Sequence, residues 1–138
     1  MRRRDQRRAA VTALYQHDVT GRPTEETLDR NAQIFTQALV YAVEDRQDEL
    51  DAIIAGHAQG WSLERIAPLE RAILRVALLE MLHPDAAPGD EPIPAEGAIE
   101  EAVETAKTFC GADAPGFVNG ILGAALREMR ENAAPHEP

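Results

Sequence analysis

The sequence predicts an all-α protein, and three of its features indicate this class. Hydrophobic residues make up 44% of the 138 residues, but only 4% are aromatic. Alanine and leucine dominate the apolar set, whereas the β-branched and aromatic runs typical of strands are scarce. Apolar residues also recur at spacings of three and four along most of the chain, as on one face of a helix. We therefore expect one domain of ordinary size, built from helices around a single core.

The first half of the chain predicts one helix followed by a longer helical region. The first helix covers residues 3–19, and Gly21 ends it because glycine commonly follows a helix C-terminus. Residues 24–58 carry their apolar positions on one side, as in an amphipathic helix. We expect this region to be interrupted near Asn31 or Asp45.

The second half predicts three further helices. Pro68 suits the first position of a helix because its missing N–H would have no partner there. Ten of the fourteen residues in 69–82 are apolar, which places this helix at the centre of the core. Residues 83–94 hold four of the nine prolines and predict a loop. Helices over 95–110 and from residue 114 onward complete the chain.

The charge of the chain is strongly asymmetric. The formal net charge is −10, but residues 1–8 hold five arginines and one acid and carry a charge of +4, which leaves −14 for the rest. On a helix Arg4 and Arg8 share one face, and Arg3 and Arg7 share the next. Guanidinium groups at a helix N-terminus also oppose the helix dipole, so the cluster favours a bound counter-anion.

Two interpretations of the arginine cluster remain open at this point. An RNA backbone would supply the counter-anion, with Gln16 further along the helix available for base contact. Alternatively, the cluster is a solvated basic arm, or an arm that folds onto the acidic body of the protein. The second interpretation makes the chain a protein–protein adaptor, or a homodimer in which the arm masks its own RNA site.

Composition and motifs argue against several other classes of protein. No run of eighteen apolar residues exists, so we expect no membrane span, and no apolar segment of a secretory signal follows the basic start. Cys110 is the only cysteine and fits a reducing compartment, so the expected location is the cytoplasm.

Catalytic and metal-binding signals are weak, and we expect neither an enzyme nor a cofactor. The sequence contains no phosphate-binding loop, dinucleotide-binding glycine motif or nucleophile elbow. Glu80 and His83 have the Glu-x-x-His spacing of di-iron bundles, but such bundles need this motif twice and it occurs here once. An iron-bound bundle is therefore the least favoured alternative.

Several blocks of the sequence together resemble one known family. The chain resembles the NusB family of bacterial transcription antitermination factors from its start to near its end, in the order and spacing typical of that family. The blocks are Arg3-Arg4 with Arg7, Ala13-Leu14-Tyr15-Gln16, Gly60-Trp61-Ser62-Leu63-Glu64-Arg65-Ile66, Leu69-Glu70-Arg71-Ala72-Ile73-Leu74-Arg75, Glu101-Ala102-Val103-Glu104-Thr105-Ala106-Lys107 and Phe117-Val118-Asn119-Gly120-Ile121-Leu122.

The resemblance implies both a fold and a function. The implied fold is a single all-α domain of about seven helices in two small packed bundles, an N-terminal bundle over 1–60 and a C-terminal bundle over 61–132, with a frayed tail at 133–138. The implied function is non-catalytic binding of boxA RNA in nascent ribosomal transcripts, in a pair with the ribosomal protein NusE. NusA, NusG and RNA polymerase are the implied partners in the larger complex.

The resemblance also implies which residues carry this function. Asp113, in the turn before the last helix, matches part of the side that meets NusE. The implied RNA-binding residues belong to the arginine-rich start and to a second set further along the chain: Arg3, Arg4, Arg7, Gln16, Glu64, Glu70 and Arg71. Arg8 joins them as a member of the same arginine cluster.

Overall fold

A computed structural model describes residues 2–89 and 92–133, and this part of the chain contains seven α-helices, one 3₁₀ helix and no strand. The predicted all-α class is therefore confirmed. The 3₁₀ helix is Leu63–Arg65, between the fourth and fifth α-helices. The α-helices are α1 (Arg3–Thr20), α2 (Thr24–Thr27), α3 (Ile34–Asp45), α4 (Gln47–His57), α5 (Pro68–Leu82), α6 (Ala95–Phe109) and α7 (Ala114–Ala133).

The region from residue 24 to residue 58 is divided at both places that the sequence indicated. Between α2 and α3, the side chain of Asp29 accepts a hydrogen bond from the backbone N–H of Asn31 at 2.8 Å. This local bond offers the backbone an alternative to the helix. Between α3 and α4, Arg46 alone leaves helical geometry, with a φ of −118°.

Helix α5 forms the centre of the core, as its composition predicted. Every residue from Ala72 to Met81 is buried, and Pro68 occupies its first turn. Helices α1, α3, α4, α6 and α7 all pack against α5. Because the surrounding helices share this one support, the buried apolar residues form a single cluster that extends from Ala10 to Leu126.

Helix α1 is fixed to the core along most of its length, which determines where its arginines lie. Ala10 and Leu14 are buried against the core. Near the N-terminus, the hydroxyl of Thr36 on α3 donates a buried hydrogen bond of 2.9 Å to the carbonyl oxygen of Gln6. The arginine-rich start is therefore the first two turns of a packed helix.

Only the first residue of the predicted frayed tail, residue 133, lies within the described part of the chain. Helix α7 continues to Ala133, and the rest of the predicted frayed tail lies outside the described residues. The division into bundles over 1–60 and 61–132 stays a prediction. Among the described helices, none has the length and apolar character that crossing a membrane requires.

Candidate nucleic-acid interface

The four arginines at the start of α1 lie on two adjacent faces of the helix, as the spacing predicted. Arg4 and Arg8 face α6, where their partners are Glu101 and Thr108. Arg3 and Arg7 face α3 and the end of α5, and both guanidinium groups lie over the ring of Phe35, at 4.1 and 5.4 Å from its centroid.

Two of these arginines make bidentate ion pairs with carboxylates of the protein body. Arg4 donates to both oxygens of Glu101 on α6, each at 3.0 Å. Arg7 donates to both oxygens of Glu80 on α5, at 2.7 and 3.0 Å. For these two arginines the counter-anion is therefore a carboxylate of the same chain, as in the interpretation of an arm that folds onto the acidic body.

The two pairs differ in their exposure to solvent. The side chains of Arg7 and Glu80 are 16% and 10% exposed, and those of Arg4 and Glu101 are 48% and 24% exposed. The hydrogen bond from Arg4 lowers the pKa of Glu101, against the opposing effect of burial, and the same hydrogen bond raises the pKa of Arg4. Both groups of the exposed pair are thus charged at neutral pH.

Arg8 is held less tightly than its neighbours. Its terminal nitrogen donates to the hydroxyl of Thr108 at 3.4 Å, and its guanidinium carbon lies 5.4 Å from the centroid of the Phe109 ring. Its Nε is buried and has no hydrogen-bond partner in the described part of the chain. The terminal nitrogens of Arg8 make only the one long hydrogen bond to Thr108 within the described residues, so they have hydrogen-bonding capacity left for a ligand.

A second group of predicted residues lies at the opposite end of α1, around the start of α5. Arg71 donates to the carboxylate of Asp18 at 2.8 Å and to the carbonyl oxygen of Leu63 at 3.2 Å, so it joins α1, α5 and the 3₁₀ helix. Glu64 is exposed on the 3₁₀ helix. Glu70 is half-buried, and burial raises the pKa of its carboxyl group.

Gln16 and Asp113 lie outside these two groups. Gln16 is exposed on α1, where it lines a hollow of about 540 Å³ between α1 and the loop from α2 to α3. Asp113 is exposed in the turn from α6 to α7, and its carbonyl oxygen accepts the N–H of Phe117 at 3.2 Å. The structure thus brings together the four arginines, and separately Glu64, Glu70 and Arg71.

Sequence reasoning missed the two carboxylates that bind the arginines. Glu80 was considered only as a metal ligand with His83, but His83 Nε2 instead lies 2.9 Å from the carboxylate of Glu49. The described residues contain no group of three side chains suited to a metal ion. No local signal reveals these pairs, because 97 residues separate Arg4 from Glu101 and 73 separate Arg7 from Glu80.

The chain is similar over nearly its whole length to proteins of one family. The sequence model described as the NusB family matches residues 4–127. The transcription antitermination protein NusB of Rubrobacter xylanophilus is 38% identical over 144 residues, which cover 100% of this chain and 99% of that protein. The protein of the same name from Halalkalibacterium halodurans is 39% identical over 136 residues, covering 94% and 97% of the two chains.

Solved structures give the same result for the fold. The structure of T. maritima NusB superimposes with a TM-score of 0.81 at 29% identity, over 93% of this chain and 92% of that one. A chain from the crystal structure of antitermination factors NusB and NusE in complex with dsRNA superimposes with a TM-score of 0.76 at 25% identity, over 91% and 96%.

Proposed function

Because the chain belongs to the NusB family of non-catalytic transcription antitermination factors, we propose that it binds boxA RNA together with NusE. The arginine-rich start of α1 is the RNA-binding surface. One structural neighbour is a complex of NusB, NusE and double-stranded RNA, which supports both partners. NusA, NusG and RNA polymerase complete the antitermination complex, and the protein works in the cytoplasm.

The observation that carries this proposal is the arrangement of arginines on a rigid helix. Arg7 is fixed beneath the surface by Glu80, and it adds positive charge while it holds the first turns of α1 in place. Arg3 and Arg4 are exposed and Arg8 is partly buried, and these three arginines meet the phosphates. Guanidinium groups suit this task because their planar fork matches the geometry of phosphate oxygens.

The remaining predicted residues extend the interface. Gln16, Glu64, Glu70 and Arg71 contact the RNA beyond the arginines, where carboxylates accept hydrogen bonds from base amino groups. Asp113 meets NusE in the turn before α7.

A salt titration tests the electrostatic part of this proposal. On a single strand, each neutralised phosphate contributes about −0.7 to the slope of log K against log salt concentration, so three engaged arginines give a slope of about −2. Fluorescence anisotropy with labelled boxA RNA, in the presence of NusE, measures this slope. We expect the triple variant R3A/R4A/R8A to bind more weakly and to show a much flatter dependence on salt.

A matched control variant removes an arginine that lies away from α1. Arg130 is also exposed and paired with a glutamate, but it lies on the last turn of α7, so R130A should bind RNA as the wild type does. Binding of the wild type that does not respond to salt would contradict the proposed contact between arginine and phosphate.

The alternative of a homodimer with a masked RNA site predicts different behaviour in solution. In that case the arm of one protomer docks onto the acidic surface of the other. Arg4 and Arg7 already have partners within their own chain, which leaves less of the arm for a neighbour. Sedimentation velocity of the protein without RNA distinguishes a monomer from this homodimer. A dimer of the wild type that is lost in the triple variant R3A/R4A/R8A would favour the masked RNA site.

A further inference from the structure

Phe109 is exposed although it is a large apolar residue. The residue is 54% exposed and is the last residue of α6. The helix ends there because Cys110 is extended, although its backbone N–H still donates a hydrogen bond of 2.9 Å to the carbonyl oxygen of Ala106. Cys110, partly buried, continues the inward face of α6, so Phe109 is left pointing away from the core. Among the described residues, Phe109 is not one of those that pack against the hydrophobic core.

Phe109 lies beside the arginines of α1. The guanidinium of Arg8 lies 5.4 Å from its ring centroid and also bonds to the neighbouring Thr108. Arg4, one turn before Arg8 on the same face of α1, is bound to Glu101 two turns before Thr108 on α6. An exposed aromatic ring is therefore adjacent to the guanidinium of Arg8, and Arg4 lies one helical turn away on the same face of α1.

We propose that Phe109 and Arg8 form a stacking site for one unpaired base of the bound RNA. The base lies against the exposed part of the Phe109 ring, and Arg8 binds the adjoining phosphate with the hydrogen-bonding capacity that Thr108 leaves unused. This inference rests on the proposed function, since it names the aromatic contact of the same surface.

An unpaired base fits this place better than an apolar side chain of a protein partner. Proteins that bind single strands combine aromatic rings, on which bases stack, with cations that follow the backbone. The Phe109 ring next to Arg8, with Arg4 one turn away on α1, meets that requirement. An apolar side chain docking here would bury the Arg8 guanidinium without offering an acceptor, which carries a free-energy cost.

Substitution of Phe109 tests the stacking site, with Trp61 as a matched control. Trp61 is the same 54% exposed but lies in a groove between α4 and α7 that none of the four arginines lines. We expect F109A to weaken binding of labelled single-stranded boxA RNA by about tenfold, the loss typical of one stacked base. Stacking involves no ion, so the slope against salt should stay unchanged, whereas R8A should flatten it by about 0.7. F109W should bind normally, and so should W61A.

A second measurement identifies the base. A series of boxA RNAs, each with one base removed, is titrated with the wild type and with F109A. We expect one position at which base removal weakens binding of the wild type but not of F109A, because the contact is already lost in that variant. Circular dichroism and urea unfolding verify that F109A and W61A remain folded.

Three outcomes would overturn the stacking site while leaving the proposed function intact. They are equal binding by F109A and the wild type, an equal loss in W61A, and a loss in F109A that affects only the affinity for NusE. The last outcome assigns Phe109 to a protein interface. Absence of RNA binding by the wild type itself is the separate result that rejects the proposed function.

Discussion

Two ion pairs join the N-terminal half of α1 to the rest of the protein, and they share one geometry in two different environments. Arg7 and Glu80 are largely buried, whereas Arg4 and Glu101 are partly in solvent, although both arginines donate to both carboxylate oxygens. Burial determines whether such a pair mainly affects stability or can exchange one of its members. A buried pair cannot lose one member without leaving an uncompensated charge, but water or a phosphate can replace a member of an exposed pair.

This difference divides the arginine-rich start into two parts. Arg7 belongs to the packing between α1 and α5, together with the ring of Phe35 beneath it. Arg4 is available for exchange, because its guanidinium can leave Glu101 for a phosphate that carries the same charge. Under the proposed function, Arg4 therefore meets a phosphate directly, whereas Arg7 supports the surface from within the packing.

The largest expected effect comes from removing the buried carboxylate. In E80A the guanidinium of Arg7 is left unpaired in a mostly desolvated site, and we expect the free energy of unfolding to fall by about 3 kcal/mol. Urea denaturation measures this change. E101A should shift the midpoint by less than a third as much, because its partner arginine remains in contact with water.

The double variant R7M/E80L provides the control for this interpretation. It removes both charges and fills the space with apolar atoms, so it should recover most of the stability lost in E80A. Equal destabilisation by E80A and E101A would mean that burial does not distinguish the two pairs.

The exposed pair should affect RNA affinity instead of stability. Glu101 competes with the RNA for Arg4, and its charge also repels phosphate. We expect E101Q to bind boxA RNA about threefold more tightly at low salt, because Arg4 no longer has to leave Glu101 before it meets a phosphate. The slope of log K against log salt should stay close to that of the wild type, since the number of engaged arginines is unchanged. Anisotropy titrations at several salt concentrations provide both quantities.

A second carboxylate on the exposed face of α6 controls for the general effect of charge. Glu104 is exposed and pairs with Lys107 at 3.2 Å, so E104Q removes the same charge from α6 without freeing Arg4. Tightening by E104Q equal to that of E101Q would show a general electrostatic effect and would remove the specific role of the pair.

The sequence was sufficient to predict the helices but not these pairs. Pro68 and the apolar run after it predict α5 because helix-start chemistry and hydrophobic periodicity are local properties. The partners of Arg4 and Arg7 depend on how helices far apart in sequence pack, which no local pattern contains. Phe109 was missed for a related reason. The spacing of apolar residues along α6 is compatible with either Phe109 or Cys110 facing the core. Which of the two does so depends on the residue at which the helix ends, and the sequence did not specify that residue.

The sequence predicted the arrangement of the arginines, while the RNA-binding role of each residue stays a prediction. Clustering of arginines in residues 1–8 located the basic surface, because charge density along a helix can be read from the chain. The roles of Glu64, Glu70, Arg71 and Asp113 came from family resemblance and stay predictions. The structure does add that Arg71 is engaged with Asp18 and Leu63, which gives this residue a task in packing as well.

The smallest expected effect concerns Glu70, a partly buried carboxylate with no arginine partner in the described part of the chain. Burial raises the pKa of Glu70, whereas the hydrogen bond from Arg4 lowers the pKa of Glu101. A raised pKa means that the folded protein holds the proton of Glu70 more tightly than the unfolded chain does. Glu70 therefore makes a contribution to stability that is present at low pH and is lost as the pH rises through its folded pKa.

Glu101 has the opposite sign, since its contribution is present above its unfolded pKa and is lost as the pH falls through the lowered folded value. We expect the stability of E70Q relative to the wild type to increase between about pH 4 and pH 7, and that of E101Q to decrease over the acidic part of this range. Urea midpoints measured along this range give both trends. Parallel trends in the two variants would mean that Arg4 does not distinguish the two carboxylates, and the contrast between paired and unpaired burial would then be lost.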